Sequence, residues 1–301
     1  MKYLSFRHQG RVAAGAWLPA GVLDLGHAAQ LAGESADLSS VLAVVRGGEA
    51  ARAAASRLLS RAGELAAALR PHDQVQLLAP IPQPVRNPFC VGRNYLDHAK
   101  EGFTSRGMEV KLPEAPQFFS KATHAVCGPN DDVRLDPQVT RRFDYEVELA
   151  VVLGRGGRDI AVERAAEHIF GYTVANDFTA RDLQRRHDQW FKGKSLDTTL
   201  PLGPWLVTAD EIGDPGTLEL TLSVNGEPRQ RAQVRQMIFD LPALIASLSA
   251  GLTLEAGDII ATGTPAGVGY AMNPPQYLRG GDVVVAGIDR IGMLRNRIVE
   301  V

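Results

Sequence analysis

Two glutamates, Glu146 and Glu148, stand in the run Phe143-Asp144-Tyr145-Glu146-Val147-Glu148-Leu149-Ala150-Val151-Val152. The alternation is that of a β-strand, in which side chains two apart share a face. Tyr145, Val147, Leu149 and Val151 fall on one face; Asp144, Glu146, Glu148, Ala150 and Val152 fall on the other. The paired acids therefore lie on a face that turns apolar one step later. Neighbouring carboxylates in a half-buried setting repel, and burial raises the cost. A divalent cation resolves that conflict, and oxygen-only ligands favour a hard one such as Mg²⁺, Mn²⁺ or Ca²⁺. The competing reading of this strand alone is a solvated acidic face near a sheet edge.

A third carboxylate, Asp177, follows the apolar run Gly171-Tyr172-Thr173-Val174-Ala175-Asn176, where a strand gives way to a loop. In isolation it serves equally well as a helix N-cap ahead of Thr179-Ala180-Arg181. As a third ligand it would leave coordination positions open for two vicinal oxygens of a keto acid or its enolate. Upstream, His98 and Glu101 share one face of a helical turn, as suits a carboxylate that orients an imidazole or a bound water. The alternative is a polar surface turn. Gly102 and Gly107 flank the segment, as a mobile lid requires.

The elements that must position these residues are mostly strands. They are expected at Phe89–Val91, Glu146–Leu153, Phe170–Asn176, Gly203–Thr208, Leu218–Val224, Asp258–Thr262 and Asp282–Ile288, with a hairpin turn at Asn225-Gly226. Helices are expected over Ala161–Ile169 and Phe239–Ser247. The first 25 residues read as short strands, and 38–70 as two helices split at Gly47-Gly48. A proline-rich connector over 78–88 marks the boundary between a small N-terminal domain, 1–76, and a catalytic domain, 77–301.

The 301 residues are 45% hydrophobic and 22% charged, enough to bury a sizeable core. A formal net charge of −2 gives no electrostatic case for nucleic acid or an anionic membrane. Arg181-Asp182 and Arg185-Arg186-His187-Asp188 read as a solvated or salt-bridged surface. The two cysteines, Cys90 and Cys127, have no metal-type spacing, and no signal peptide or membrane span is evident. The expected compartment is the reducing cytoplasm. Gly193-Lys194-Ser195 lacks the first glycine of a phosphate-binding loop, and Gly263-Thr264-Pro265-Ala266-Gly267-Val268-Gly269 lacks the following helix of a dinucleotide site. Catalysis should rest on the carboxylates.

Taken in order, Gly92-Arg93-Asn94-Tyr95 with His98, Asp144 to Leu149, Gly171 to Asp177, Gly193-Lys194-Ser195 and Gly263-Thr264-Pro265 resemble the fumarylacetoacetate hydrolase family. The likeness covers the chain from about Asn87 onward. It implies an α+β, mainly β fold, a β-sandwich roll with a small N-terminal α/β domain, usually in a homodimer. By that resemblance Glu146, Glu148 and Asp177 match the ligands of one Mg²⁺ or Mn²⁺, and His98 with Glu101 the water-activating dyad. Lys194 matches a lysine that stabilises anionic oxygens, while Arg93, Gln184 and Thr264 match substrate contacts.

Fumarylacetoacetase proper carries a fourth metal carboxylate where this chain has Phe89-Cys90-Val91, and its catalytic glutamate lies far downstream. The resemblance therefore points to the smaller acylpyruvase-like members. The expected activity is metal-dependent hydrolysis of a C–C bond in 2,4-dioxo acids, of acylpyruvate or fumarylpyruvate type, through a metal-bound pyruvate enolate. The alternatives are an oxaloacetate decarboxylase or a 2-hydroxyhepta-2,4-diene-1,7-dioate isomerase, since all share that enolate. A non-catalytic Ca²⁺-stabilised β-module is the remaining reading, and it would need neither Lys194 nor the His98–Glu101 turn.

Overall fold

The computed structural model of the chain describes residues 1–105 and 107–301. Runs of β-branched and aromatic residues make strand its commonest regular structure. The strands that matter here are β1 (Lys2–His8), β2 (Arg11–Leu18), β3 (Gly21–Asp24), β4 (Phe89–Gly92), β5 (Gln117–Ser120), β6 (Val147–Leu153), β7 (Ile169–Asn176), β8 (Leu200–Thr208), β9 (Glu219–Val224), β10 (Glu227–Gln233), β11 (Ile259–Ala261), β12 (Val283–Ile288) and β13 (Gly292–Glu300). A large sheet contains the order β3-β2-β1-β8-β7-β6-β11-β4-β5, and a second contains β10-β9-β12-β13. Among these neighbours the β11–β4 pair is parallel and the others are antiparallel.

The α-helices that matter here are α1 (Leu25–Ala32), α2 (Val41–Arg46), α3 (Gly48–Ser60), α4 (Leu96–Thr104), α5 (Arg181–Arg186), α6 (Phe191–Lys194) and α7 (Leu241–Ser249), and short 3₁₀ helices lie between elements. Strand β6 shows how the layers arise. Val147, Leu149 and Val151 belong to one buried cluster with Leu220, Leu222, Val284, Ala286 and Leu294 of the second sheet. Ala150 and Val152, on the opposite face, belong to a cluster with Val41, Val44, Ala54 and Ala55 of α2 and α3. Burying each Leu or Val contributes roughly 1.5–3 kcal/mol. A one-residue slip would exchange the two faces, so this burial also fixes where the acids of the strand stand.

The sandwich expected from the sequence is present, and so are its turns. Asn225 and Gly226 take φ of 52° and 85° between β9 and β10, the conformation a tight hairpin needs. Helix α2 ends at Arg46 and α3 begins at Gly48, so the split falls where Gly47-Gly48 placed it. Residues 79–88 carry no helix or strand. Two elements differ. The helix expected over Ala161–Ile169 is a 3₁₀ helix over Val162–His168, and α7 starts two residues late because Asp240 caps it, accepting from the Ala243 amide at 2.9 Å. Gly102 lies inside α4 rather than beside it.

The N-terminal strands extend the large sheet: β1 pairs with β8 at Lys2↔Val207 and Tyr3↔Leu206. Cys90 and Cys127 are buried free thiols, and no helix among the described residues is long and apolar enough to cross a membrane. Burial pushes the phenols of Tyr3 and Tyr172 up from 10.0 to about 12. The fold favours their neutral form, so their contribution is complete below the ordinary value and is lost as pH climbs through about 12. Tyr3→Phe should therefore lessen the alkaline loss of stability, by about 2 kcal/mol at the top of that window. Denaturant unfolding across the window checks this; an unchanged alkaline slope contradicts it.

Candidate active site

Antiparallel pairing of Val147 with Asn176 and Glu148 with Ala175 brings the start of β6 beside the end of β7. Glu146, Glu148 and Asp177 meet there, all buried, each with a carboxylate oxygen within 4.8 Å of the others. Glu146 falls one residue before the strand rather than in it. Its amide donates to the Asn176 side-chain oxygen at 3.0 Å, while its carbonyl accepts from the Asp177 amide at 2.8 Å. A side chain thus replaces one rung of the ladder, and the ladder proper starts at Val147.

Asp177 is no helix cap. Lys121 Nζ donates to its Oδ1 and Lys194 Nζ to its Oδ2, both at 2.6 Å. Lys194 also donates to Glu146 Oε2 at 2.7 Å. Arg181 Nη2 lies 2.7 Å from Glu146 Oε1, and its Nε donates to Asp144 Oδ2 at 2.9 Å. Glu148 differs: it accepts from the Gly263 amide at 2.8 Å and forms no ion pair among the described residues.

The electrostatics follow. Burial opposes ionisation of Glu146, but Lys194 and Arg181 outweigh it and hold the carboxyl well below its usual range. For Glu148 burial and the charges of Asp177 and Glu146 act together and push the carboxyl well above that range. Burial pulls Lys194 toward the neutral amine, yet Asp177 and Glu146 keep it more firmly charged than a free lysine. Lys121 is pulled below the ordinary value by burial, against Asp177.

Four acids, Asp144, Glu146, Glu148 and Asp177, face three bases, Lys121, Arg181 and Lys194. An all-oxygen donor set with one acid in excess fits a hard divalent cation, and Glu148 is the acid that lacks a counter-charge. The triad is thus a candidate divalent-cation site.

A cleft of about 310 Å³ opens on this cluster. His98, Glu146, Glu148, Lys194, Arg93, Gln184 and Thr264 line it; Glu101 and Asp177 stand outside the lining, as does every residue of 1–76. Helix α4 presents His98, whose Nδ1 lies 2.9 Å from Glu101 Oε1. The Gly267 amide donates to both Glu101 oxygens, at 3.0 and 3.2 Å. A carboxylate that accepts in this way makes Nδ1 the protonated nitrogen and leaves Nε2 basic. Gly267 has φ +104°, and a Cβ there would stand 2.0 Å from the Arg229 carbonyl oxygen, so glycine is required.

The substrate-contact candidates are held as well. Thr264 Oγ1 accepts from Gln230 Nε2 at 2.8 Å, and Gln184 Oε1 accepts from Arg181 Nη1 at 3.3 Å. Arg93 stacks over Phe103 and Trp190, 5.1 and 5.6 Å from their ring centroids.

Sequence reasoning missed Arg181, Lys121 and Asp144. Arg181 was assigned to a charged surface, yet it is 4% exposed and sits 4.5 Å from the Tyr270 ring. Arg185, His187 and Asp188 of the same stretch line the cleft. Asp144 shared the face of the two glutamates in the strand alternation, so a signal for it existed. Lys121 had none, since a lysine after Phe118-Phe119-Ser120 reads like any strand end.

A family model for the C-terminal part of fumarylacetoacetate hydrolase matches residues 87–299. Over 226 residues the chain is 52% identical to an oxaloacetate tautomerase of Bacillus subtilis, covering 75% of this chain and 74% of that one. It is 44% identical over 231 residues to a mitochondrial oxaloacetate tautomerase of Homo sapiens, covering 76% and 71%. The solved fumarylacetoacetate hydrolase of Exiguobacterium antarcticum superposes with a TM-score of 0.81 at 39% identity, covering all of both chains.

The two tautomerases overturn the expectation of a C–C bond hydrolase and favour the isomerase alternative. The physical reason for the error is plain. Three acids, a lysine and a His–Glu pair serve proton transfer and C–C cleavage alike, so the motifs do not separate the two. The matched segment and the buried acid cluster support a metal-associated enzyme. Matched over 87–299 and superposed along its whole length on a solved member, the chain belongs to the fumarylacetoacetate hydrolase family.

Proposed function

We propose that this chain is a cation-dependent tautomerase that interconverts the keto and enol forms of oxaloacetate or a similar 2-oxo dicarboxylate. Glu146, Glu148 and Asp177 would hold one Mg²⁺ or Mn²⁺. The 52% and 44% identity to oxaloacetate tautomerases carries this reading, and a cleft shared by a carboxylate-backed histidine and a buried oxygen-donor cluster with its lysine supplies the groups it needs. When bound, the cation supplies Lewis-acid polarisation of a carbonyl oxygen.

The chain's own residues do the rest. His98 Nε2 takes a proton from C3, and Glu101 stabilises the imidazolium that forms. The C3–H electron pair becomes the C2–C3 double bond, and negative charge moves to the C2 oxygen. Lys194, kept charged by its carboxylate neighbours, serves that oxygen as a fixed positive donor rather than as a base. Return of that proton from the His98 imidazolium to the oxygen, directly or through water, completes the enol and frees the imidazole, and the reverse run restores the ketone. Arg93 and Arg181, both in the cleft lining, suit the carboxylates of a dianion, with Gln184 and Thr264 as neutral contacts. Residues 1–76 form an accessory unit, and the working assembly is a homodimer, which sedimentation would check.

The decay of enol-oxaloacetate, followed by its ultraviolet absorbance, tests the reading. Wild-type protein with Mg²⁺ or Mn²⁺ should accelerate it, and chelator should remove the effect. His98→Ala and Glu101→Gln should each slow it by roughly a hundredfold or more, the usual loss when a general base goes. Unaltered rates in both variants would sink the dyad's role.

A further inference from the structure

A second cavity, of about 520 Å³, shares no lining residue with the cleft. Arg141, Arg229 and Arg279 stand in its wall, with Tyr145 and Tyr277. Asp282 is the one acid there, and its carboxylate accepts from Asn225 Nδ2 and from the Arg279 amide, each at 2.8 Å. Three guanidiniums against Asp282 and the Glu227 that pairs with Arg229 leave one positive charge in excess.

Arg229 is short of acceptors. Its Nε is buried with no hydrogen-bond partner among the described residues. Its Nη1 meets the thioether of Met272 at 3.3 Å, a weak acceptor, and its Nη2 donates to the exposed Glu227 at 2.8 Å. A guanidinium carries five donors in a planar fork, and a buried donor left without an acceptor costs free energy. An oxyanion supplies what is missing here, and a guanidinium fork matches carboxylate and phosphate alike.

Two of these residues, Arg229 and Tyr145, reach the dyad through Gly267. A Cβ on Gly267 would strike the Arg229 carbonyl, Tyr145 Oη donates to the Gly267 carbonyl at 3.1 Å, and the Gly267 amide donates to Glu101. One segment walls both cavities, giving Thr264 and Tyr270 to the cleft and Pro274 to Arg279 to the second cavity.

We propose that this second cavity binds a small dianion of carboxylate or phosphate chemistry, and that its occupancy reaches the Glu101–His98 pair through Arg229, Tyr145 and Gly267. Anion binding here does not depend on the tautomerase reading; its effect on catalysis does.

Titration of the whole protein with inorganic phosphate and, separately, with succinate tests this, followed by heat and by the amide resonance of Gly267. For at least one probe, one saturable site per chain is expected that is distinct from any binding in the cleft and sensitive to Arg229 and Arg279, with the Gly267 resonance moving as it fills. Arg229→Gln and the exposed Arg279→Gln should each weaken that binding about tenfold or more. Arg185→Gln, in the cleft, should leave it unchanged. Response to phosphate alone identifies a phosphate source, and response to succinate alone a carboxylate source. No saturable binding of either probe, or binding in both Arg229→Gln and Arg279→Gln as tight as in wild type, overturns the site. A Gly267 resonance that stays fixed while anion binds overturns the coupling. Protein that binds the anion but leaves enol-oxaloacetate untouched overturns the tautomerase reading and keeps the site.

Discussion

Replacing Glu148 by glutamine is expected to abolish divalent-cation binding and catalysis while making the cation-free protein more stable. Glu148 is buried, receives one backbone hydrogen bond from Gly263, and faces the charges of Asp177 and Glu146 with no ion-pair partner among the described residues. Glutamine keeps the acceptor for Gly263 and adds an N–H₂ donor that the neighbouring carboxylates can accept. Removing an uncompensated buried charge should add about 1–2 kcal/mol to the cation-free fold. Losing one ligand and its charge should cost roughly a thousandfold in turnover, about 4 kcal/mol of barrier. Thermal unfolding under chelator and calorimetric titration with Mn²⁺ measure the two halves separately. A chelated variant less stable than wild type, or one still stimulated by Mn²⁺, would contradict this account of the cluster.

Lys194→Met should act in the opposite sense on stability. The Lys194 ammonium bridges Glu146 and Asp177 at 2.7 and 2.6 Å, almost fully buried. Methionine fills similar volume without charge, so two carboxylates lose a shared partner. Breaking a buried ion pair from one side costs about 3–5 kcal/mol. A divalent cation restores positive charge at the same carboxylates, so its addition should raise the melting temperature of the variant more than that of wild type. Turnover should fall by about a hundredfold or more even with cation present, because the fixed donor at the C2 oxygen is gone. Equal stabilisation of variant and wild type by the cation would show that Lys194 and the ion do not share ligands.

The parts of this molecule that rest on local pattern were legible in its sequence. Alternation placed Glu146 and Glu148 on one face, the end of an apolar run placed Asp177 at a strand terminus, and helical spacing paired His98 with Glu101. The structure brings all five to one cleft and the shell behind it. What escaped was set by tertiary packing. Arg181 looked like its solvated neighbours until Asp144 and Glu146 closed on it, and Lys121 reaches Asp177 from a strand end 56 residues away in sequence. The reaction escaped for a chemical reason. Stabilising an enolate and relaying a proton are steps common to tautomerisation, decarboxylation and hydrolysis, so residue types alone leave the three unresolved.

The central claim is proton transfer without C–C bond cleavage, and one measurement meets it directly. Enol-oxaloacetate and an acylpyruvate are each incubated with wild-type protein and Mg²⁺ or Mn²⁺, and loss of the enol band and release of pyruvate are followed in the same reaction. The account predicts rapid, chelator-sensitive loss of the enol band with oxaloacetate and no pyruvate release above the protein-free rate from either compound. Pyruvate appearing in step with loss of the band would contradict it.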